Sequence, residues 1–294
     1  MSQRQKMNGY AMLAIVAWAL SYPLTRMVNG QFSAASIGFF RCMVAAIILL
    51  LIGKKEKIQP MRKEHILLFA LGGFVGFSGY LILFNTGMDS VLSSTASVII
   101  ATAPILTAIA AIKIYGEKIN GIGWLSIGIA FFGVAVLLLW ENGLSINKGA
   151  IWIGLAAILF SVYNLMNREL GLRGFSATEI VTYCMAFGAV ELLPFAPSAL
   201  QEAAASSLSD MLPVLGLAIF PSATAYLSWS KAMGYAQKTS DVTNFLFLTP
   251  LVTTIFGFFM MREVPNWGTV IGGVMIICAL ILFQKKGKVS EPAE

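Results

Sequence analysis

Residues 80–117, YLILFNTGMDSVLSSTASVIIATAPILTAIAAIKIYGE, and residues 226–263, YLSWSKAMGYAQKTSDVTNFLFLTPLVTTIFGFFMMRE, decide how this chain is read, because they are two versions of one pattern. Laid over each other at an offset of 146 without a gap, Tyr80-Leu81 meets Tyr226-Leu227, Ser94 meets Ser240, Pro104 meets Pro250, Thr107 meets Thr253 and Glu117 meets Glu263. The correspondence extends outward with small shifts. Phe32-Ser33-Ala34 recurs as Phe175-Ser176-Ala177, each time opening an apolar run, and at an offset of 142 Trp18 meets Phe160 and Arg26 meets Arg168. One coincidence would mean little; together they mark an internal duplication.

The duplicated unit is built for lipid. Of 294 residues, 57% are hydrophobic and only 12% charged, with a mean hydropathy of +0.79, too little polar surface to coat a water-soluble globule. A helical span needs roughly 20 apolar residues to cross about 30 Å of hydrocarbon. Ten such runs occur, near residues 9–27, 34–52, 65–87, 91–112, 122–140, 149–167, 177–196, 212–234, 240–261 and 267–284. They are continuous and lack the alternation of a lipid-facing barrel, so the expected fold is an all-α integral membrane protein of ten transmembrane helices. The first run follows a short polar stretch, Met1 to Asn8, and has Arg26 rather than a small-residue cleavage site behind it; it reads as a span and not as a signal peptide.

Placing the N-terminus in the cytoplasm distributes the 20 Lys and Arg unevenly. Arg26, Lys148 and Arg262 fall outside, Arg41 and Lys231 fall within spans, and all the rest lie in cytoplasmic segments, as the positive-inside rule requires. That bias accounts for the formal charge of +6 without a nucleic-acid partner. An even number of spans puts both termini in the cytoplasm, and a bacterial inner membrane is the expected location. Cys42, Cys184 and Cys278 each sit in apolar sequence without CxxC spacing and read as small buried hydrophobes. With His65 the only histidine, the sequence calls for no metal and no cofactor.

Dividing the chain at residues 1–143 and 144–294 gives five spans to each half, so corresponding spans run in opposite directions through the membrane. Inverted repeats of this kind enclose a substrate site near the bilayer midplane, reached from each side in turn. The expected partners are a small-molecule substrate and membrane lipid. A single chain suffices because it holds both halves, and a dimer is compatible with the same sequence.

Several motifs resemble the ten-span EamA-type members of the drug/metabolite transporter superfamily: the Trp18 region, Phe39-Phe40-Arg41 opening the second span, Pro104 followed by Gly116-Glu117-Lys118, and their echo at Pro250 and Arg262-Glu263-Val264. The resemblance covers nearly the whole chain. It implies two inverted five-helix repeats, a central cavity lined mainly by spans 1, 3, 6 and 8, and export of amino acids and related metabolites. One departure is Cys184, which stands where the second half of the family carries its own arginine.

Candidate substrate-binding residues follow from polar and aromatic groups that lipid would not tolerate or that share a helix face. Arg41 lies about two turns inside span 2, where exposure to lipid would cost roughly 2.5 kcal/mol or more; a ligand carboxylate and an ion pair are alternative partners. Trp18 and Tyr22 are four residues apart, as are Phe160 and Asn164 in the equivalent span. Tyr80 and Phe84 are matched by Tyr226 and Trp229, and Asn85 and Asn244 are amides within spans. Faces like these suit a cavity that stacks on an apolar or cationic group and hydrogen-bonds a polar one, although helix packing would also use them. Glu191, an acid near the middle of span 7, is the proton-coupling candidate, with a fixed pair to Arg41 as its alternative. Pro104 and Pro250 are expected to bend spans 4 and 9 as hinges. Gly72 and Gly76 should let neighbouring helices approach closely. Glu117 and Glu263 read as turn residues, and Lys231 as a side chain snorkelling to the cytoplasmic interface.

Two other classes compete with a carrier. Gly76-Phe77-Ser78-Gly79 matches the GxSG of rhomboid-type intramembrane proteases, but His65 precedes Ser78 on the same helix by about 20 Å and cannot serve it as a base. A scaffold would have no use for several inward-facing polar groups. The expected function is therefore a secondary transporter, an exporter of amino acids or related metabolites working by alternating access, with organic cations, nucleosides or drugs as alternative cargo.

Overall fold

A computed structural model describes residues 2–115, 119–142, 147–235, 242 and 244–287, and among these the side chains of all but residues 108, 111–115, 137–139, 141, 142, 244, 247, 284 and 287. The described residues are mostly helical and contain no β-strand. Among the described residues, five helices are long and apolar enough to cross a membrane: α1 (Gln3–Val28), α2 (Ala34–Glu56), α3 (Lys63–Gly87), α7 (Lys148–Leu172) and α10 (Leu208–Tyr235). A sixth passes as a pair, α8 (Ala177–Glu191) and α9 (Leu193–Ala205), bent by 45°. The remaining apolar runs form further helices: α4 (Ser93–Ile100) continued by α5 (Ala103–Tyr115), α6 (Gly121–Asn142), α11 (Thr249–Met261) and α12 (Trp267–Leu282).

Local chemistry sets the helix ends. Ser33 and Ser176, partners in the repeat, both stand at an N-cap. The Oγ of Ser33 accepts from Ser36 N at 3.3 Å, and Ser176 forms a full capping box with Glu179. Lys57 and Arg262 close α2 and α11 in the left-handed conformation, at φ of 56° and 54°. In each case the next amide reaches back to a glycine carbonyl, Gly53 and Gly257, a Schellman arrangement.

The proteins of this class turn the usual burial pattern outward, and this one does so clearly: Leu67, Phe259 and Trp267 are more than 70% exposed, whereas Arg41 is 2% exposed. Lipid, not water, suits such a surface. Each long helix has about half of its most apolar window buried against neighbours.

Packing is dominated by contacts between the two halves. Helix α1 lies on α10, α3 on α7, α2 on α8, α4 on α11 and α6 on α12. Exchanging the halves maps α1 with α10 onto α7 with α3 and each of the other pairs onto itself. Helices α3 and α8 approach closely at Gly73, where an added Cβ would lie 2.8 Å from the Gly188 amide nitrogen, so only glycine fits.

Two departures from the sequence expectation involve helix irregularity. Helices α3 and α10 each carry a π-helical turn, Phe74–Ser78 and Ala218–Thr224, and the offset of 146 superimposes the first on the second. Pro104 and Pro250 do not lie in the interior of a regular α-helix. Pro104 stands in the first turn of α5, after a break at Ala101 and Thr102, and Pro250 in the first turn of α11, after the 3-10 turn Asn244–Leu248. At a first turn the missing N–H costs no helical hydrogen bond, so these prolines mark where a helix restarts.

Candidate functional site

Where α1, α3, α7 and α10 meet, aromatic side chains from both halves close around one another. Trp18 sits edge-on to Phe160 and Tyr226, with ring centroids 5.8 and 5.3 Å away, and against Trp229 at 5.1 Å. Tyr22 meets Phe84 at 5.3 Å, Tyr80 stacks on Phe84 at 5.7 Å, and Tyr80 meets Phe160 at 5.7 Å. These edge-to-face and offset geometries are the favourable ones for aromatic pairs. Tyr226 also donates its hydroxyl to the Gly76 carbonyl at 3.1 Å.

The cluster encloses a cavity lined by Trp18, Ser21 and Tyr22 of α1, Arg41 of α2, Tyr80 and Phe84 of α3, Phe160 of α7 and Tyr226 of α10, with Ser97, Ile100 and Ala101 at the end of α4 and Leu246 and Thr249 at the start of α11. Its volume is about 30 Å³. That holds a water or two and no metabolite.

Arg41 is the one charged group in this lining. Its Nε donates to Ser222 Oγ at 3.1 Å, and Ser222 donates in turn to the Leu217 carbonyl at 2.9 Å, five residues back. Ser222 lies within the π-helical turn of α10, which places it opposite Arg41. Arg41 Nη1 is buried without a hydrogen-bond partner. Among the described residues no carboxylate lies within ion-pair reach of the guanidinium. A buried cation in this state carries a free donor for an anion.

Of the residues the sequence singled out, Trp18, Tyr22, Arg41, Tyr80, Phe84, Phe160 and Tyr226 all face this cavity. Trp229 backs Trp18 from behind. Asn85 does not line it: its Nδ2 donates to the Ala34 carbonyl at 3.0 Å, tying α3 to the start of α2. Asn164 is half-buried on α7 away from the lining. The side chain of Asn244, like all of Glu117, lies outside the described residues. Glu191 does not pair with Arg41; it accepts a hydrogen bond from Ser78 across the α3–α8 contact. The same bond occupies the serine of the GxSG tetrad, while His65 sits edge-to-face with Phe175 at 5.0 Å and meets Glu64 at 3.3 Å. No cluster of His, Cys, Asp and Glu among the described residues could hold a metal.

Two polar clusters stand at opposite ends of the cavity. At one, Lys231 Nζ meets Glu56 Oε1 at 2.8 Å, so this lysine ends at a carboxylate rather than at the interface alone, and Thr178 donates to Glu56 Oε2 at 2.5 Å. At the other, Glu263 accepts from Ser93 N at 2.9 Å and Ser93 Oγ at 3.0 Å and pairs with Arg26 Nη1 at 3.0 Å. This carboxylate does more than close a turn: it caps the N-terminus of α4 and joins α1, α4 and α11.

A protein of Streptantibioticus cattleyicolor named "Probable terminal-alkyne amino-acid exporter" is 27% identical over 275 residues, which span 93% of this chain and 92% of the relative. The S-adenosylmethionine uptake transporter of Rickettsia prowazekii is 23% identical and covers 98% of this chain and 97% of its own length. A solved crystal structure with 16% identity superposes with a TM-score of 0.64 over 95% of this chain and 96% of that one, which establishes a common fold. The model of the EamA-like transporter family matches residues 5–139 and 147–284. With an all-helical, lipid-suited body and a family match over almost its full length, the chain belongs to the EamA-like transporter family of multi-pass membrane transporters.

Proposed function

We propose that this protein is a secondary transporter that exports amino acids or related small metabolites across a bacterial inner membrane by alternating access. The observation that carries the reading is Arg41, whose free Nη1 opens onto a cavity otherwise walled by aromatic rings and a few hydroxyls. A guanidinium is suited to a carboxylate, and the rings to the apolar or cationic remainder of the same molecule. The relative named as an amino-acid exporter supports this cargo and this direction; the relative named for S-adenosylmethionine uptake keeps import as the competing direction.

The architecture in this proposal is ten spans in two inverted five-helix repeats, residues 1–143 and 144–294, with α4–α5 and α8–α9 each counted as one interrupted span. Support comes from the shared π turns, the twin serine caps and the exchange-invariant pairing of helices. The distribution of Lys and Arg supports cytoplasmic termini. Substrate then binds at Trp18, Tyr22, Arg41, Tyr80, Phe84, Phe160 and Tyr226, and Glu191 carries a coupled proton.

Binding to purified protein tests the reading. Phenylalanine should raise the unfolding temperature of the parent chain and not of Arg41→Ala, and phenylalaninamide, which lacks the carboxylate, should raise neither. Equal stabilisation by the amide would overturn the carboxylate reading in favour of a cation carrier. Counterflow of labelled phenylalanine in proteoliposomes then tests transport itself.

A further inference from the structure

The cavity has a second polar feature that substrate binding at Arg41 does not use. Ser21 of α1, Ser97 of α4 and Thr249 of α11 line it, and these three helices pack on one another. From each of these residues a hydroxyl stripe runs away from the cavity at helical spacing: Ser21 to Thr25, Ser97 to Ser94, and Thr249 to Thr253. All three helices converge at the far end on Glu263, which holds Arg26, one residue beyond Thr25, and Ser93, one residue before Ser94.

These stripes are only partly satisfied within the fold: Ser97 Oγ donates to the Ser94 carbonyl at 2.7 Å. The hydroxyls of Thr25, Ser94, Thr249 and Thr253 are buried with no hydrogen-bond partner among the described residues, each residue 5% exposed or less. Among the described residues the other buried side-chain atoms without a hydrogen bond are Arg26 Nη1, which ion-pairs with Glu263, Arg41 Nη1 and Asn85 Oδ1. Among the described residues none lies near the Glu56–Lys231 pair at the opposite end. Unpaired buried hydroxyls cost stability, and a static helix interface would use alanine or valine in their place. The arrangement is economical only if this wall is wetted in another state of the protein.

We infer that the Ser21–Thr25, Ser94–Ser97 and Thr249–Thr253 stripes are the wall of a permeation path from the cavity to the end of the molecule marked by Gln31, and that the Arg26–Glu263–Ser93 cluster is the latch that closes it. When the latch parts, water and the polar end of the cargo take up the free hydroxyls. The inference rests on the cavity being a transport site, but its test follows access rather than transport.

Thr25→Cys and Thr253→Cys are placed singly in a Cys278→Ser chain, whose other cysteines, Cys42 and Cys184, are buried. Membrane vesicles are treated from either face with a charged, impermeant methanethiosulfonate, and Gln31→Cys, at an exposed position, reports which face is which. Adding Glu263→Gln should speed labelling of both cysteines roughly tenfold, from the face that labels Gln31→Cys, because weakening the latch raises the open population. Arg26→Gln should do the same from the other side of the ion pair, which guards against a Glu263 variant that misfolds. Unchanged rates in both latch variants, or labelling from the opposite face, would overturn the path. Latch-dependent labelling in vesicles that move no amino acid would support the path and overturn the cargo; transport retained without such labelling would overturn the path alone.

Discussion

Arg41 and Ser222 are hydrogen-bonded at 3.1 Å although 181 residues separate them, so the charge in the cavity is supplied by one half of the chain and aimed by the other. Removing that aim should weaken carboxylate ligands without abolishing the charge. Ser222→Ala is expected to lower affinity for phenylalanine by roughly tenfold, the worth of one charge-assisted hydrogen bond, and to leave the amide unaffected. Arg41→Lys should lose nearly as much as Arg41→Ala, since an ammonium cannot hold Ser222 and a carboxylate in one planar fork. Isothermal titration with the acid and amide pair checks both.

Trp18 bridges Phe160, Tyr226 and Trp229, and through them both halves of the chain. Trp18→Ala should reduce affinity for aromatic amino acids by about 1–2 kcal/mol and for alanine by less, while Trp18→Phe keeps most of both. A uniform loss across ligands would mean that the ring supports the fold and not the cargo.

At Gly76 an added Cβ would come within 2.3 Å of the Tyr163 ring, which is itself wedged against Phe77 and Tyr226. Gly76→Ala should therefore destabilise the protein by about 1–3 kcal/mol. Gly154→Ala meets nothing within 4 Å and should be neutral or stabilising by a few tenths, because alanine is the better helix former. Thermal unfolding in detergent compares the two.

Glu191→Gln keeps the shape of the Ser78 contact and removes the ionisable group. Proton coupling through Glu191 predicts that this variant binds phenylalanine normally and still exchanges it across proteoliposomes, but no longer accumulates it against a pH gradient. Ser78→Ala should retain gradient-driven accumulation with an altered pH profile. Full accumulation by Glu191→Gln would assign coupling elsewhere.

The parts of this protein that were legible in its sequence are those set by neighbours along the chain or by the repeat. The Phe-Ser-Ala openings of α2 and α8 are read as span starts because serine is a strong cap. Seven aromatic or charged cavity residues could be named because they recur at one-turn spacing or stand alone in apolar sequence. What escaped depends on partners far away in the chain. Ser222 looks like any serine until the π turn sets it opposite Arg41, and nothing local distinguishes Ser78 as the partner of Glu191. Lys231 and Glu56 each look like an ordinary residue at a span end. The Gly-rich stretch before Tyr80 and Pro221 before Tyr226 are the signals that could have located the π turns, since both weaken regular α-helical bonding.

A cavity with room for only a water or two has a thermodynamic consequence. Under the proposed function, cargo must first force apart rings that already satisfy one another, so the affinity measured would be the intrinsic affinity reduced by the fraction of molecules standing open. Substitutions that loosen the Trp18 cluster without touching the ligand can then tighten binding, and a transporter selected for turnover gains from keeping that fraction small. The aromatic cluster acts as a tax on occupancy, one that lets cargo go.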